Sequence, residues 1–192
     1  GSTPSPLRVP LRRVESGDET PRARMTPERL SLQRRKARLD EMVTGYVIAG
    51  QRDLARAALG QALAIVPQDL NSILMMGFLH LDSGENVSAH SRALEAIGLD
   101  PLCGRAYVLR GIASFFLSEF KATEEELRQA LYLLPECVLA TFFLARVREA
   151  QGQRQAALRL YTQALVKARA HDHAFLELGF ERTALVRALE AK

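Results

Sequence analysis

Few residue groups in this chain have the types to do chemistry, and their spacing argues against most of it. His171, Asp172 and His173 offer two imidazoles and a carboxylate, donors that a divalent metal takes. Adjacent residues at a helix start splay apart, however, and no Cys or carboxylate set accompanies them. A solvated helix entry fits them better than a metal site. His80 and His90 each stand alone on a helical stretch, as packed or surface histidines do. The run "TEEEL" at 123–127 falls in the first turns of an expected helix, where the dipole favours acids. No phosphate-binding glycine loop, HExxH pair or GxSxG elbow occurs. The sequence therefore predicts no catalytic residue, no metal and no cofactor.

Charge is concentrated at one end. Residues 1–38 hold ten Arg or Lys against four acids, a net +6, whereas residues 39–192 carry 16 basic and 18 acidic residues, a net −2. The sequence pI near 9.4 thus describes the N-terminal arm. The arm lacks interleaved aromatics and any nucleic-acid motif, so it reads as a solvated, flexible Arg/Pro-rich linker over 1–25. Neither a nucleic-acid partner nor membrane insertion is expected, since no apolar run is long enough to span a bilayer. The opening Gly1-Ser2 reads as a protease scar, which predicts a piece of a larger protein.

The elements follow from punctuation. Pro67, Pro101 and Pro135 lie 34 residues apart, each interrupting good helix formers that resume at once. Proline lacks an N–H and clashes with the preceding turn, so each ends a helix. Upstream, Thr26, Pro27 and Glu28 form a helix start with a cap, a first-turn proline and a dipole-compatible acid. Cys103 and Cys137 share the 34-residue spacing. Equivalent sites in stacked units lie about 10 Å apart, too far for a disulfide. Both are expected as thiols in a reducing cytoplasm.

The same period recurs in other residue types. The block at about 36–69 supplies Leu39, Met42, Tyr46, Gly50, Ala55, Leu59 and Ala62 before Pro67. The block at 70–103 supplies Ile73, Met76, Gly77, Gly84, Ala89, Ala93 and Ala96 before Pro101. The third, 104–137, keeps Tyr107, Gly111, Phe120, Leu127 and Ala130, with Ser118 and Thr123 replacing Gly and Ala. The fourth, 138–171, keeps Leu144, Ala145, Gly152, Ala157, Tyr161 and Ala164, with Arg169 in place of proline. This is the tetratricopeptide (TPR) pattern of small residues, aromatics and proline. It predicts an all-α, right-handed α-solenoid of about four helix-turn-helix repeats over 26–171. The amphipathic segment 172–192, with Phe175, Leu178, Phe180, Leu185, Val186 and Leu189, is expected to be a C-terminal capping helix.

First helices line the concave face of such an array, at repeat positions 2, 5, 9 and 12. Repeat 1 places Ala37, Asp40, Thr44 and Val47 there, and repeat 2 places Asn71, Leu74, Phe78 and Leu81. Repeat 3 contributes Arg105, Val108, Ile112 and Phe115. Repeat 4 contributes Leu139, Phe142, Arg146 and Glu149. An apolar groove centred on Phe78, Ile112 and Phe142 is the expected partner surface. The alternatives are that these side chains pack between helices or that the arm covers them. Asp40 and Thr44 stand where binders of chaperone tails carry a basic residue and an Asn, so an acidic chaperone C-terminus is not expected.

The stretch 127–165 resembles the helical repeats that follow the catalytic domain in some CheR-type chemoreceptor methyltransferases. Ala130 to Pro135, Leu139, Ala140, Phe142, Leu144, Gln151, Gly152, Ala164 and Leu165 carry the resemblance. Thr141, Phe143 and Ala145 depart from it. A frizzy-type gliding-motility enzyme is one parent the resemblance admits. It implies that the parent protein is an S-adenosylmethionine-dependent protein-glutamate methyltransferase. This chain would then be its non-catalytic regulatory module, cytoplasmic, binding a chemoreceptor, a response regulator or its own methyltransferase domain. The alternative is a free-standing chaperone or adaptor holding an apolar segment.

Overall fold

The computed structural model describes residues 26–170 and 189–191. Within them run eight helices: α1 (Pro27–Ile48), α2 (Arg52–Ile65), α3 (Leu70–Asp82), α4 (Asn86–Leu99), α5 (Gly104–Phe116), α6 (Phe120–Leu133), α7 (Val138–Ala150) and α8 (Arg154–Ala170). No strand occurs among the described residues. The helices pack chiefly as successive pairs, α1 with α2 through α7 with α8. The first helices of later pairs also touch in order, α3 on α5 and α5 on α7.

Local chemistry sets each boundary. Thr26 caps α1, its Oγ1 accepting from the Arg29 N–H at 3.3 Å, and Pro27 opens the helix. Asp69 caps α3 by accepting from the Ser72 N–H at 2.9 Å. α2, α4 and α6 each stop two residues before Pro67, Pro101 and Pro135, and each is 14 residues long. Arg169 imposes no such stop, and α8 runs 17 residues.

Small residues set how closely the helices approach. Ala55, Ala62, Ala89, Ala96, Ala130 and Ala164 are all fully enclosed. Thr123, standing where other repeats have Ala55, Ala89 and Ala157, is equally enclosed, and its hydroxyl donates to the Glu119 carbonyl at 3.1 Å. That local bond lets a polar residue occupy an alanine site without an unmet hydroxyl. A Cβ at Gly77 would lie 2.4 Å from the Leu109 side chain, so α3 and α5 meet only because that atom is missing. Tyr161 fills space between α7 and α8, its hydroxyl donating to Glu149 at 2.7 Å. Burial and that carboxylate push its phenol well above the usual range.

The acidic run departs from the sequence-based expectation. α6 starts at Phe120, so Glu124, Glu125 and Glu126 lie beyond its first turn, and specific partners, not the dipole, hold two of them. Glu124 pairs with Arg128 and Arg148. Glu126 is buried between α5 and α6, 2.8 Å from Arg110 and 3.0 Å from the Ser114 hydroxyl that donates to it. Burial pushes its carboxyl up, against the pull of Arg110 and Ser114. Cys103 and Cys137 cap α5 and α7 and form no disulfide. The linker, most of the capping segment and His171 to His173 lie outside the described residues. Leu189 nevertheless joins the core, and Glu190 pairs with Arg169 at 2.7 Å.

The turns between paired helices need a left-handed residue. Gly50, Gly84 and Gly152 supply it at φ of 69°, 75° and 74°, whereas Ser118 adopts φ 63° with a Cβ present. Left-handed backbone costs a non-glycine residue about 1 kcal/mol. Ser118→Gly is therefore expected to raise the unfolding free energy by about 0.5–1 kcal/mol, and Ser118→Val to lower it by at least about 1 kcal/mol. Urea denaturation followed by circular dichroism checks both.

Candidate binding cleft

The residues expected to floor an apolar groove divide sharply once placed. Phe78 and Ile112 keep only 4% and 2% of their surface, and Leu74 and Val108 are equally enclosed. All four belong to one continuous core cluster running from α3 to α8. Phe78 and Ile112 are packed within that cluster. The centre of the concave face is therefore filled by the chain itself and is not an open apolar floor. Leu81, Phe115, Phe142, Arg105 and Arg146 are half-buried, and Asn71 is exposed. The Phe115 and Phe142 rings lie 5.3 and 5.4 Å from the Phe143 ring, and the Arg146 guanidinium stacks 4.9 Å from the centre of Phe115. These contacts fix the second half of the face as a rigid aromatic ridge with Phe116 half-exposed at its edge.

Space opens instead along α1. A cleft of about 250 Å³ lies between α1, α3 and the start of α5. Its floor is Val43, Val47, Leu59 and Met75; Thr44, Asn71 and Arg105 stand on its walls. A second, shallower cleft of about 480 Å³ continues it toward the N-terminus, where α1 overhangs the end of α2. Leu32, Ala37, Ile65 and Val66 form its apolar part, with Arg29 and Gln33 beside them. The two meet at Asp40. The cause is side-chain size: repeat 1 has Thr44 where repeats 2 and 3 have Phe78 and Ile112. A threonine cannot cross the seam, so the gap stays open.

Most of these residues were not among the expected site residues. The signal was present, since small side chains at seam positions that are large in the next two repeats imply unfilled volume. Exposed apolar surface at the cleft is also large, with Ile48 70% exposed.

An ion cluster fixes the cleft's centre. Lys36 Nζ donates to Asp40 at 2.7 Å and to Asp69 at 2.9 Å, and the Ser72 hydroxyl donates to the same Asp69 oxygen at 2.5 Å. Burial would lower the Lys36 pKa, but its bonds to Asp40 and Asp69 raise it overall. Burial would likewise raise the Asp69 pKa, but the bonds from Ser72 and Lys36 hold it below the ordinary 3.8. No group of three or more His, Cys, Asp or Glu able to hold a metal occurs among the described residues. No helix there is long and apolar enough to cross a membrane.

Two outcomes are expected. Phe78→Ala should destabilise the fold by about 3–5 kcal/mol, as removal of a core aromatic does, which urea unfolding measures. Asp69→Asn keeps the cap but breaks the pairing with Lys36, and should lower stability at neutral pH by about 0.5–1.5 kcal/mol. A depressed carboxyl stabilises above its unfolded pKa and loses that contribution as pH falls through its folded pKa. The gap between wild type and Asp69→Asn should therefore close as the pH falls below 3.8. The raised Lys36 pKa acts at the other limit: its contribution is complete below 10.5 and lost as pH rises past its folded value. Unfolding curves at acid, neutral and alkaline pH read both limbs.

No family model matches this chain, and no curated protein matches it. Among solved structures it is similar to MamA, 20% identical over 83% of this chain and 88% of that one, at a TM-score of 0.59. MamA from Desulfovibrio magneticus RS-1 is 18% identical over 76% and 82%, at a TM-score of 0.61. The first TPR domain of Spaghetti (RPAP3), bound to the HSP90 peptide SRMEEVD, is 21% identical over 62% and 94%, at a TM-score of 0.58. At such identities the likeness is one of fold. The chain is an α-solenoid of tetratricopeptide repeats.

Proposed function

We propose that this chain is a protein-interaction module whose concave face, at the α1–α3–α5 cleft, seats a segment of another protein. The observation that carries the reading is the cleft itself, with apolar floor residues beside exposed amide and hydroxyl groups. Such a mixture suits a peptide, whose side chains need apolar cover and whose backbone needs polar partners. The solved RPAP3 domain holding a peptide supports this use of the fold.

The finer proposal rests on the resemblance of 127–165 to the repeats of CheR-type enzymes. The chain is then the regulatory or targeting region of a chemoreceptor methyltransferase, whose catalytic domain uses S-adenosylmethionine. The cleft holds a chemoreceptor, a response regulator or the methyltransferase domain, in the cytoplasm. A second contact raises the local concentration of substrate around the enzyme, and masking the enzyme would do the opposite.

Methyl transfer by a purified CheR-type catalytic domain on a receptor cytoplasmic fragment tests this at rising concentrations of the chain. The expected result is a rate change that Thr44→Phe removes by filling the cleft. No rate change, together with retained binding of other peptides, would replace the methyltransferase reading with a free-standing adaptor or chaperone.

A further inference from the structure

The exposed stripes of the second helices are not alike. α2, α4 and α6 are each 14 residues long and begin 34 residues apart, so equivalent positions stand at the same height. Residues spaced i, i+4, i+7 and i+11 share one side of a helix. On α6 that stripe reads Lys121, Glu125, Arg128 and Tyr132, and on α8 it carries Arg159. On α4 it reads Val87, Ser91, Leu94 and Gly98, and on α2 Asp53, Ala57, Gly60 and Ala64, all of them exposed. Asp53, in the first turn of α2, is the only charge in those two stripes. None of these residues lines the cleft along α1.

The two uncharged stripes are also complementary in shape. Val87 is 70% and Leu94 46% exposed, and both project from α4. At the same height α2 is hollow, since a Cβ at Gly60 would meet nothing within 4 Å and only alanines flank it. Gly60 and Leu94 each stand eight residues after the first of their helices, Arg52 and Asn86. α2 and α4 both pack against α3. A two-fold axis parallel to them and midway between lays α4 of one copy on α2 of the other, twice, with heights preserved. Each Leu94 then enters the hollow bounded by Ala57, Gly60 and Ala64. Each Val87 lies near Ala57 and Leu54, the latter 48% exposed. One operation satisfies both contacts, so the assembly closes at two copies.

We propose that this chain forms a two-fold dimer through the outer faces of α2 and α4, with Leu94 of each copy seated over Gly60 of the other. Two helical faces about 21 Å long and about 10 Å wide present about 400 Å² together. A standard stable interface buries about 800 Å² per partner, so this dimer is weak and reversible. Apolar contact and shape hold it, and salt has little influence. The pairing leaves the clefts of both copies open, so a partner carrying two segments engages them together. The dimer itself does not depend on what the cleft binds.

Sedimentation velocity of the full 192-residue chain from about 5 to 500 µM tests this. The mass is expected to rise from 21.3 kDa toward about twice that, with no larger species, alike in about 0.1 M and 0.5 M salt. Gly60→Glu and Leu94→Lys should each weaken association about tenfold or more. Both positions are exposed and both new side chains are good helix formers, so the melting temperature should not fall. An equimolar mixture of the two variants should associate about fivefold or more tightly than either alone, because the introduced carboxylate then faces the introduced ammonium. A chain that stays monomeric to about 500 µM overturns the proposal and leaves the α2–α4 face to a different protein. A dimer that survives both substitutions, that dissociates in salt, or whose two variants fail to complement each other overturns it equally.

Discussion

Close approach of helix backbones is the constraint on which this array depends. Each pair meets across alanines that recur every 34 residues; Gly111 leaves room for Leu127 within the α5–α6 pair, and successive pairs meet where Gly77 leaves room for Leu109. Small residues permit the approach, and the large residues opposite are held in single rotamers by it. The proline-terminated helices, the left-handed turn residues and the core leucines all serve that one geometry. A solenoid built this way has no long-range contacts to rescue a bad interface, because each repeat touches only its neighbours. Packing at each seam must therefore be complete, or its incompleteness must be stabilised by something else.

The α1–α3 seam is the incomplete one, and the ion cluster supplies the substitute. Where Phe78 and Ile112 join the apolar cluster of the later repeats, Lys36, held also by Asp40 on its own helix, bridges this seam through Asp69. A long cation on a helix reaches further than threonine and holds α1 to the start of α3 without filling the space between. The result is a seam that is both fixed and open. Arg56 makes a similar bridge on the outer side, donating to Glu85 at 2.8 Å and to the Ser83 hydroxyl at 3.0 Å. The first pair is thus tied to the second by polar bonds at its edges in addition to the apolar cluster in which Met76 and Leu79 join α1 and α2.

How much of this can be read from the sequence depends on what a period encodes. The 34-residue recurrence of Gly, Ala and Pro determines backbone geometry, so the proline-marked helix ends, the turns and the fold class were legible. A concave position encodes only a direction. A large side chain at such a position can be packed away as well as line a groove, and Leu74, Phe78, Val108 and Ile112 are buried. The open part was written in Ala37 and Thr44, residues without chemical interest of their own. Glu126 was not distinguished within its acidic run for a related reason: a run near a helix start points to the dipole and does not say which member turns toward Arg110 and Ser114.

The position of the cleft also has an energetic meaning. In a chain of nearest-neighbour interfaces, a ligand seated within one repeat stabilises that repeat, whereas a ligand that spans a seam stabilises the coupling between repeats. The cleft draws its walls from α1, α3 and α5, three repeats in succession. Its occupant would bridge the two interfaces nearest the N-terminal end, one of which lacks the aromatic ridge that stiffens Phe115, Phe142 and Phe143 further along. Binding there adds apolar contact where the fold has substituted ion pairs, and its free energy appears as stability of the first helix pair. A partner would in this way complete the packing of the solenoid, and the same open seam accounts for the site and for the weaker apolar coupling of the end that carries it.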